Sequence, residues 1–564
     1  MLGNMMDSPL LISGLIEHAA STNPDSEIVS RRCETDSAGS SIHRYTMRDA
    51  AKRSKQIANA LLKLGASPAD RIATLAWNNY RHFELYFGVS GIGSVLHTIN
   101  PRLFPEQLVY IINHAEDRWI FVDLTFVPLL ESIQDQITSV EGFIIMADSA
   151  NMPETSLKNV ICYEDLIESA SDQLEWPHFD ENSAACLCYT SGTTGNPKGV
   201  LYSHRSTLLH ALSEISREAL RISSLSCVLP VVPMFHVNAW GVPYAGAMTA
   251  AKLVFPGPGM DGASLWELID AEQRDLLLGV PTVWLMLLNH MDEIGKTLDS
   301  VKNVVVGGSA APLSMIKKFD QVHDAFLIHA WGMTEMSPLG TSNVKTAKMD
   351  NMPLEERYKL QQKQGRPVFG VEMKIVDDNG QSQPHDGVTF GRLLVRGPWI
   401  IKQYYKNDDM SSFENGWLDT GDVATIDENN YLGIVDRSKD VIKSGGEWIS
   451  SIDLENAAVG HPDVVEACVI GVAHKKWDER PLLLAIMFLT MPTTAVSTPP
   501  PTSPEMPSPA SPMPARASSP GTAPVSAAPP SPPKAPAIVL PMVPRFAFFR
   551  AWATPLPPMP PAMT

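Results

Sequence analysis

The stretch AACLCYTSGTTGNPKG, residues 184–199, joins a short apolar run to a loop of small hydroxyl residues and glycines. The run Ala184–Tyr189 predicts a short buried strand, because apolar residues bounded by turn-forming residues are typical of the interior of a parallel sheet. The loop that follows brings backbone N–H groups, hydroxyl groups and the ammonium group of Lys198 together, which is what a phosphate anion requires. Its glycine spacing differs from that of a Walker loop, and Lys198 precedes Gly199. A flexible surface turn is the alternative interpretation.

Outward from this stretch, helical and strand patterns alternate from about residue 8 to residue 435. Helical spacing predicts helices at Thr46–Leu64 and Phe83–Ile92. Short apolar runs predict strands at Arg71–Ala76, Trp119–Val122, Cys227–Val232, Lys252–Phe255, Val304–Val306 and Phe326–His329. This alternation predicts an α/β fold with a large N-terminal domain of packed sheets and helices.

The sequence pattern changes after Asp436, where a charged segment that contains glycines begins. Patterns at Ile452–Ala458 and Pro462–Val472 predict the start of a small α+β unit, which stops at Ala485–Leu489. Residues 490–564 then hold 23 of the 46 prolines, a density that excludes helix interiors and central strands. We therefore expect a large domain at 1–436, a hinge with an incomplete C-terminal domain at 437–489, and a disordered Pro/Ala/Ser-rich tail at 490–564.

Composition narrows the class of protein. The 564 residues carry 62 acidic and 44 basic side chains, a balance that argues against nucleic acid as the main partner. No apolar run reaches the ~18–20 residues that span a bilayer, and the first lysine or arginine is Arg31, which disfavours a signal peptide. The six cysteines are scattered, and Cys186-x-Cys188 lacks metal or redox spacing. We expect a reduced, cytoplasmic enzyme of small molecules without a membrane span.

Six further motifs follow the loop along the chain: PMFHVN (233–238), GGSAAP (307–312), AWGMTE (330–335), GWLDTGD (416–422), DRSKD (436–440) and KSGGE (443–447). With the loop, they resemble the motifs of the AMP-forming adenylating enzymes, which include acyl-CoA synthetases, firefly-luciferase-like enzymes and peptide-synthetase adenylation domains. The resemblance covers roughly residues 10–485. It implies ATP, Mg²⁺ and coenzyme A as cofactors, and a carboxylic acid that first displaces pyrophosphate from ATP and is then transferred to the thiol.

The resemblance also implies which residues bind the nucleotide. Glu335 would hold Mg²⁺, a hard cation suited to one carboxylate and phosphate oxygens, and Thr334 would bond to the α-phosphate. Asp422 and Arg437 would bind the ribose, and Trp331 would flank the adenine. Taken alone, these residues are also typical of a helix start, a turn cap, a surface arginine and an apolar core. The full implied nucleotide site comprises Thr190, Ser191, Gly192, Thr193, Thr194, Gly195, Lys198, Gly308, Ser309, Ala310, Trp331, Gly332, Met333, Thr334, Asp422 and Arg437.

The acid and thiol sites are implied in the same way. His236 would lie beside the acyl carboxylate, although a lone histidine is more often structural. The acyl pocket would be lined by His236, Trp240, Gly307 and Pro338. The small domain would rotate about Lys439, and the glycines of Gly445, Gly446 and Glu447 would allow close approach of the pantetheine, unless they form an ordinary turn.

Within the family, the chain looks closest to bacterial medium-chain fatty-acyl-CoA ligases and 3-methylmercaptopropionate-CoA ligases. No acidic residue follows Phe235 before Asp261, which disfavours an amino acid as the substrate. Relatives are often dimers, so a homodimer is possible.

The chain departs from the family at its C-terminal end. The family's small domain bears a catalytic lysine in a Gly-Lys loop near its end, whereas the last lysine here, Lys534, lies among prolines. The tail composition resembles a shifted reading frame of a GC-rich gene. Two functional hypotheses follow: an active acid–thiol ligase, or an ATP- and acyl-binding protein whose adenylation is disabled. We expect poor adenylation, because one charge is missing from the array that stabilises the transition state.

Overall fold

The computed structural model describes residues 1, 3–190, 196–438, 441–444, 447–459, 464–474 and 478–487. Several predicted residues lie outside this part of the chain: Ser191, Gly192, Thr193, Thr194, Gly195, Lys439, Gly445, Gly446 and the tail 490–564. Residues Met1–Ile486 pack as one unit. The domain boundaries at 436 and 489 therefore stay predictions.

The chain begins with a helix, a hairpin and a long second helix: α1 (Ser13–Thr22), β1 (Glu27–Arg31), β2 (Ile42–Thr46) and α2 (Met47–Lys63). The helix predicted at Thr46–Leu64 is confirmed. It begins where it does because the Thr46 hydroxyl accepts the Asp49 N–H at 3.3 Å and the Asp49 carboxylate accepts the Thr46 N–H at 3.0 Å, a reciprocal capping box.

A seven-stranded sheet follows, and the two strands that flank the glycine-rich loop in the sequence lie at one end of it. The strands have the order β7-β6-β5-β3-β4-β8-β9, and only β9 runs antiparallel to its neighbour. Its elements are β3 (Arg71–Leu75), α3 (Tyr80–Gly88), β4 (Val95–Thr98), α4 (Pro105–Ala115), β5 (Asp117–Val122), α5 (Val127–Ile133), β6 (Gly142–Ile145), β7 (Val160–Cys162), α6 (Tyr163–Glu168), β8 (Ala184–Tyr189) and β9 (Gly199–Ser203).

The helix predicted at Phe83–Ile92 starts earlier and is shorter than expected. The Asn79 side chain accepts the His82 N–H at 2.9 Å and so starts α3 at Tyr80. The helix ends at Gly88, and a single 3-10 turn covers Ser90–Ile92. An apolar pattern does not distinguish these two helix types, because both place residues three apart on one face.

A nine-stranded sheet carries most of the remaining motifs. Its order is β16-β15-β14-β13-β12-β10-β11-β1-β2, with parallel strands in the centre and antiparallel strands at both edges. The new elements are α7 (His204–Glu214), β10 (Cys227–Pro230), α8 (Val242–Thr249), β11 (Lys252–Phe255), α9 (Gly262–Glu272), β12 (Leu276–Gly279), α10 (Pro281–Ile294), β13 (Asn303–Val306), α11 (Leu313–His323), β14 (Phe326–Gly332), β15 (Leu339–Ser342), α12 (Ala347–Asp350), α13 (Leu354–Gln361) and β16 (Arg366–Pro367).

Between residues 372 and 437 the chain forms a purely antiparallel sheet, so the alternation predicted up to residue 435 is wrong for this segment. Turn-forming residues such as those at Asp377–Gly380 connect strands directly, without helices. The strands are β17 (Glu372–Val376), β18 (Phe390–Arg396), β19 (Phe413–Glu414), β20 (Trp417–Ile426) and β21 (Leu432–Arg437).

The last described segment is a four-stranded sheet with one helix, which confirms the small α+β unit. The strand order is β23-β22-β25-β24. The elements are β22 (Ile442–Ser444), β23 (Glu447–Ile449), α14 (Ser451–Val459), β24 (Val464–His474) and β25 (Asp478–Met487). Together with the two large sheets, this confirms the α/β class. The carboxyl ends of parallel strands are where such sheets usually bind ligands.

Candidate active site

The glycine-rich loop is held at both ends by the β8–β9 hairpin. The Thr190 N–H donates to the Lys198 carbonyl at 2.9 Å, and the Lys198 N–H donates to the Thr190 hydroxyl at 3.2 Å. Tyr189 pairs with Gly199 across the hairpin. The loop therefore begins directly at the end of a buried strand, as the sequence predicted, whereas the role of Ser191–Gly195 stays a prediction.

Lys198 lies over the ring of Tyr404. Its ammonium nitrogen is 4.7 Å from the ring centroid and 3.8 Å from the Asp409 carboxylate. The side chain is 38% exposed, so its charge remains accessible to an anionic ligand. Lys198 therefore contacts Tyr404, the tyrosine that also bonds to Glu335, the predicted Mg²⁺ ligand.

Thr334 and Glu335 form a short turn after β14, and both are buried. The Tyr404 hydroxyl donates to Glu335 Oε1 at 2.7 Å, and the Tyr202 hydroxyl donates to the Thr334 carbonyl at 2.6 Å. The Ile401 N–H donates to the Glu335 carbonyl at 3.0 Å. Sequence reasoning missed both tyrosines, since neither lies in a motif that it used.

The surroundings of Glu335 fit a bound divalent cation. Within the described residues, no basic side chain forms an ion pair with this buried carboxylate, and Tyr404 bonds to only one of its oxygens. No cluster of three or more metal-binding side chains occurs in that part of the chain. A single carboxylate that shares its cation with phosphate oxygens is the arrangement that Mg²⁺ commonly uses.

Trp331, Asp422 and Arg437 form a connected group. The Trp331 indole N–H donates to Asp422 Oδ2 at 3.2 Å, and Arg437 Nε lies 3.1 Å from Asp422 Oδ1. Arg437 also donates to the Thr420 carbonyl at 3.0 Å. Burial raises the pKa of Asp422 to about 6, although Arg437 and the indole lower it in part. Three residues predicted to surround the nucleoside are thus brought together.

Two glycines, Gly332 and Gly340, allow close packing around Trp331. A Cβ on Gly340 would lie 2.7 Å from the Trp331 ring and equally close to the Met336 methyl group. A Cβ on Gly332 would collide with the Pro338 carbonyl, which accepts the Met333 N–H at 3.2 Å. The backbone of β14 and β15 therefore closes tightly around the Thr334–Glu335 turn.

The turn Gly308–Ala310 leaves the carboxyl end of β13, beside the strand that carries Trp331. Gly308 has a φ of 79°, a conformation that favours glycine. Strands β13 and β14 pair in parallel, with Val306 opposite His329. The predicted residues Gly308, Ser309 and Ala310 thus follow the strand adjacent to the Trp331 turn.

Two residues predicted for the acyl pocket, Trp240 and Gly307, lie against each other. A Cβ on Gly307 would lie 3.0 Å from the Trp240 ring, so glycine leaves room for the indole. Burial lowers the pKa of His236 to about 4, which keeps its imidazole neutral near pH 7. Pro338, by contrast, lies in the β14–β15 turn, where the structure shows its backbone contacts with Gly332 and Met333.

The backbone between His236 and α8 is left-handed. Val237, Asn238, Ala239 and Trp240 have φ values of 45°, 48°, 50° and 56°, which are unusual for residues with a Cβ. Asn238 Oδ1 accepts from the Cys186 thiol at 3.1 Å and from the Cys188 thiol at 3.2 Å. The two buried thiols thus support this turn.

The predicted thiol-step residues are described only in part. Glu447 begins β23, and its side chain lies outside the described residues, as do Gly445 and Gly446. Among the described helices, none combines the length and the hydropathy needed to cross a bilayer.

Comparison with known sequences gives two family matches and close relatives. The AMP-binding enzyme family matches residues 16–405, and the AMP-binding enzyme C-terminal domain matches residues 453–495. The 3-methylmercaptopropionyl-CoA ligase of Ruegeria lacuscaerulensis is 54% identical over 486 residues, which are 86% of this chain and 89% of the relative. The medium-chain-fatty-acid–CoA ligase of Ectopseudomonas oleovorans is 50% identical over 86% of this chain and 88% of its own.

Solved structures show the same fold. An anthranilate CoA ligase in complex with anthranoyl-AMP superposes with a TM-score of 0.76 at 24% identity, covering 87% of this chain and 89% of its own. A fatty acyl CoA synthetase of Mycobacterium tuberculosis gives a TM-score of 0.68 at 24% identity, over 85% of this chain and 88% of its own. With the motifs, the geometry and the close relatives, these matches show that the chain belongs to the AMP-binding enzyme family of adenylate-forming ligases.

Proposed function

We propose that this chain is an ATP-dependent acid–thiol ligase that forms acyl-CoA through an acyl-AMP intermediate. Its substrate would be a short- to medium-chain carboxylic acid such as a fatty acid or 3-methylmercaptopropionate, as the names of the two close relatives suggest. The observation that carries the proposal is the buried Glu335, bonded to Tyr404 beneath the Lys198 ammonium group. Such an acid next to a phosphate-type loop fits a metal–nucleotide complex.

The residues of the chain would act mainly by neutralising and aligning two anions. Lys198 would attract the phosphates, and Thr334 would bond to the α-phosphate. Asp422 and Arg437 would hold the ribose, with Trp331 fixing the Asp422 carboxylate. Mg²⁺, when bound to Glu335, would screen charge between the phosphate oxygens. Alignment of this kind lowers the barrier because the reacting atoms no longer need to find one another.

The acid would enter beside a neutral histidine and an indole ring. A neutral His236 can hydrogen-bond to a carboxylate oxygen without forming an ion pair that would have to be broken during attack. Trp240, packed on Gly307, offers apolar area to an acyl chain. The lack of an acidic side chain after Phe235 in the sequence supports an uncharged chain rather than an amino acid.

The thiol step would use the small C-terminal unit. We propose that this unit rotates about Lys439 and that Gly445, Gly446 and Glu447 then border the pantetheine of coenzyme A. A homodimer and a cytoplasmic location are further proposals that rest on the sequence.

A second candidate function is binding of ATP and the acid without adenylation. It is favoured because the match to the C-terminal domain ends at residue 495 and the only later lysine is Lys534, within the proline-rich tail. The family's catalytic lysine therefore has no counterpart in a Gly-Lys loop here.

Acid-dependent pyrophosphate release distinguishes the two candidates. The purified chain would be given MgATP and acids from propionate to decanoate, including 3-methylmercaptopropionate, while ATP binding is measured separately by calorimetry. Turnover with one of these acids identifies an active ligase. We expect ATP binding with slow, acid-dependent turnover, because one charge is missing from the array that stabilises the transition state. ATP binding with no acid-dependent turnover would support the second candidate. Absence of ATP binding would contradict both.

A further inference from the structure

Helix α7 carries a buried histidine–glutamate pair for which the proposed reaction has no role. His210 and Glu214 lie one helical turn apart, with side chains 2% and 0% exposed. His210 Nδ1 is 3.6 Å from Glu214 Oε2. Neither Glu214 oxygen has a hydrogen-bond partner within the described residues, and an unpaired buried polar group is costly.

The histidine contacts the backbone that closes the nucleotide site. The Leu339 N–H donates to His210 Nε2 at 3.0 Å, so this nitrogen must present its lone pair. The ring proton therefore resides on Nδ1 and points toward Glu214. A charged imidazolium is excluded, because it would set one N–H group against another.

The glutamate is neutral for a related reason. Its nearest partner, His210, carries no charge in this geometry, and a lone carboxylate in an apolar interior is strongly disfavoured. Burial raises the pKa of Glu214 and lowers the pKa of His210 to about 3. Both directions agree with a neutral carboxylic acid beside a neutral imidazole.

The same pair packs against the turn that carries Trp240, a residue predicted for the acyl pocket. A Cβ on Gly241 would collide with the Glu214 carboxyl group and would lie 2.7 Å from His210 Cε1. Gly241 ends the left-handed turn that carries Trp240. One side of the pair thus packs on the acyl-side turn, while the other holds Leu339.

Leu339 is itself part of a network behind the Thr334–Glu335 turn. Its carbonyl accepts the Trp399 indole N–H at 3.1 Å, and the Ser337 hydroxyl donates to the Trp399 carbonyl at 3.0 Å. The Trp399 ring meets the His210 ring edge-on, with 5.9 Å between centroids. The position of β15, and with it the preceding turn, therefore depends on His210.

We propose that His210 is a positioning residue for the metal–nucleotide site, with its Nε2 accepting the Leu339 N–H and Glu214 packed beside the Nδ1 side of its ring. The pair sets the spacing between the acyl-side turn at Gly241 and the turn of Thr334 and Glu335. This inference rests on the proposed function, because it assigns the pair to the binding of MgATP.

Two amide substitutions of His210 test whether the acceptor at the position of Nε2 is the feature that matters. His210→Gln places an amide oxygen near the position of Nε2 and keeps an acceptor for Leu339, whereas His210→Asn is too short to reach it. His204→Gln is the matched control, because His204 is also buried on α7 and accepts a backbone N–H, from Ile12, through Nδ1 at 3.1 Å. His204→Gln removes the acceptor for the Ile12 N–H and leaves the bond between His210 and Leu339 in place.

Calorimetry with MgATP and with AMP is the readout, alongside thermal unfolding. We expect His210→Asn to weaken MgATP binding about tenfold and AMP binding less than about threefold, because only ATP uses the metal at Glu335. We expect His210→Gln to retain wild-type affinity within about threefold, and Glu214→Gln, a neutral mimic of the protonated acid, to do the same. His204→Gln should lower the unfolding temperature without changing the ratio of the two affinities.

The following outcomes would contradict the positioning role of His210 or the proposed function. If His210→Asn binds MgATP like the wild type, or if His204→Gln weakens it equally, the positioning role is wrong. If His210→Asn does not fold, a tenfold loss in His210→Gln contradicts the proposal and wild-type affinity supports it. A wild-type chain that binds no MgATP overturns the proposed function, and this inference with it.

Discussion

Asp422 is the buried acid that we propose binds the ribose hydroxyls. Its pKa is raised to about 6 by burial, with Arg437 opposing the shift and Glu335 and Asp419 adding to it. A carboxyl with a raised pKa is protonated below that value and charged above it. Its strength as an acceptor for ribose hydroxyls should therefore increase as the pH rises through 6.

Adenosine binding tests this expectation, since adenosine has no group that titrates between pH 5 and pH 8. We expect affinity at pH 5 to be about tenfold weaker than at pH 8, because about a tenth of a group with pKa 6 is ionised at pH 5. Asp422→Asn should bind with an affinity that is nearly constant over this range. A wild-type affinity independent of pH would contradict the ribose role of the carboxylate.

Individual residues were predictable when a motif contained them and not otherwise. Asp422 and Glu335 stand in recognisable motifs, and the structure places them beside the predicted Trp331 and Thr334. Tyr404 and His210 were missed because their partners, Glu335 and Leu339, are 69 and 129 positions away along the chain. A contact of that kind is made by tertiary packing and leaves no local pattern.

At the scale of elements, the β14–β15 pair shows how a strand shapes the site. Gly340 lies within β15, and the Trp331 ring and the Met336 methyl group occupy the space where its side chain would be. In this position the Trp331 indole N–H bonds to Asp422. A side chain at position 340 should therefore change the nucleotide site indirectly, by displacing Trp331, because Gly340 itself is not predicted to contact the nucleotide.

We expect Gly340→Ala to lower the free energy of unfolding by about 1–3 kcal/mol through overpacking. It should also weaken adenosine binding about five- to tenfold, as Trp331 is displaced from Asp422. Gly14→Ala is the control, since no atom lies within 4 Å of its would-be Cβ in α1, and alanine is the better helix former. Equal losses of adenosine affinity in both variants would show that the effect is not local to β15.

Elements were predicted best where a local signal marks their ends. The helix predicted from spacing at Thr46–Leu64 begins at Met47, and the Thr46–Asp49 capping box explains this start. The antiparallel sheet from β17 to β21 was missed, because its strands carry mixed burial patterns such as that of β20 and long turns separate them. Helix–strand alternation upstream made continued alternation the simpler expectation.

At the scale of the whole molecule, the described fold ends within the small unit while the chain continues. Strand β25 leaves Leu482, Leu483, Leu484 and Ile486 exposed, although apolar side chains in a central strand are normally covered. The match to the family's C-terminal domain ends at residue 495. We therefore expect only the first part of the family's small domain in this chain, and we expect this to affect the two half-reactions of the proposed function differently.

Adenylation should be the half-reaction that this chain performs poorly. Loss of one group that stabilises developing charge typically reduces the rate by about 10²–10³-fold. We expect a chimera, in which residues 490–564 are replaced by the matching C-terminal segment of the Ruegeria lacuscaerulensis relative, to release pyrophosphate at least about 100-fold faster than the natural chain. The same chimera with its grafted Gly-Lys lysine changed to alanine is the control and should return to the slow rate.

Thioester formation should be less affected, because it starts from an acid that is already activated. Supplied with synthetic 3-methylmercaptopropionyl-AMP or hexanoyl-AMP and coenzyme A, the natural chain should form acyl-CoA at a rate within about tenfold of the chimera, since the 443–447 segment is common to both. Equal pyrophosphate release by the two proteins would show that adenylation here does not need the missing lysine. A chimera that gains adenylation while the natural chain fails in both half-reactions would place the defect in the whole small unit rather than in that one charge.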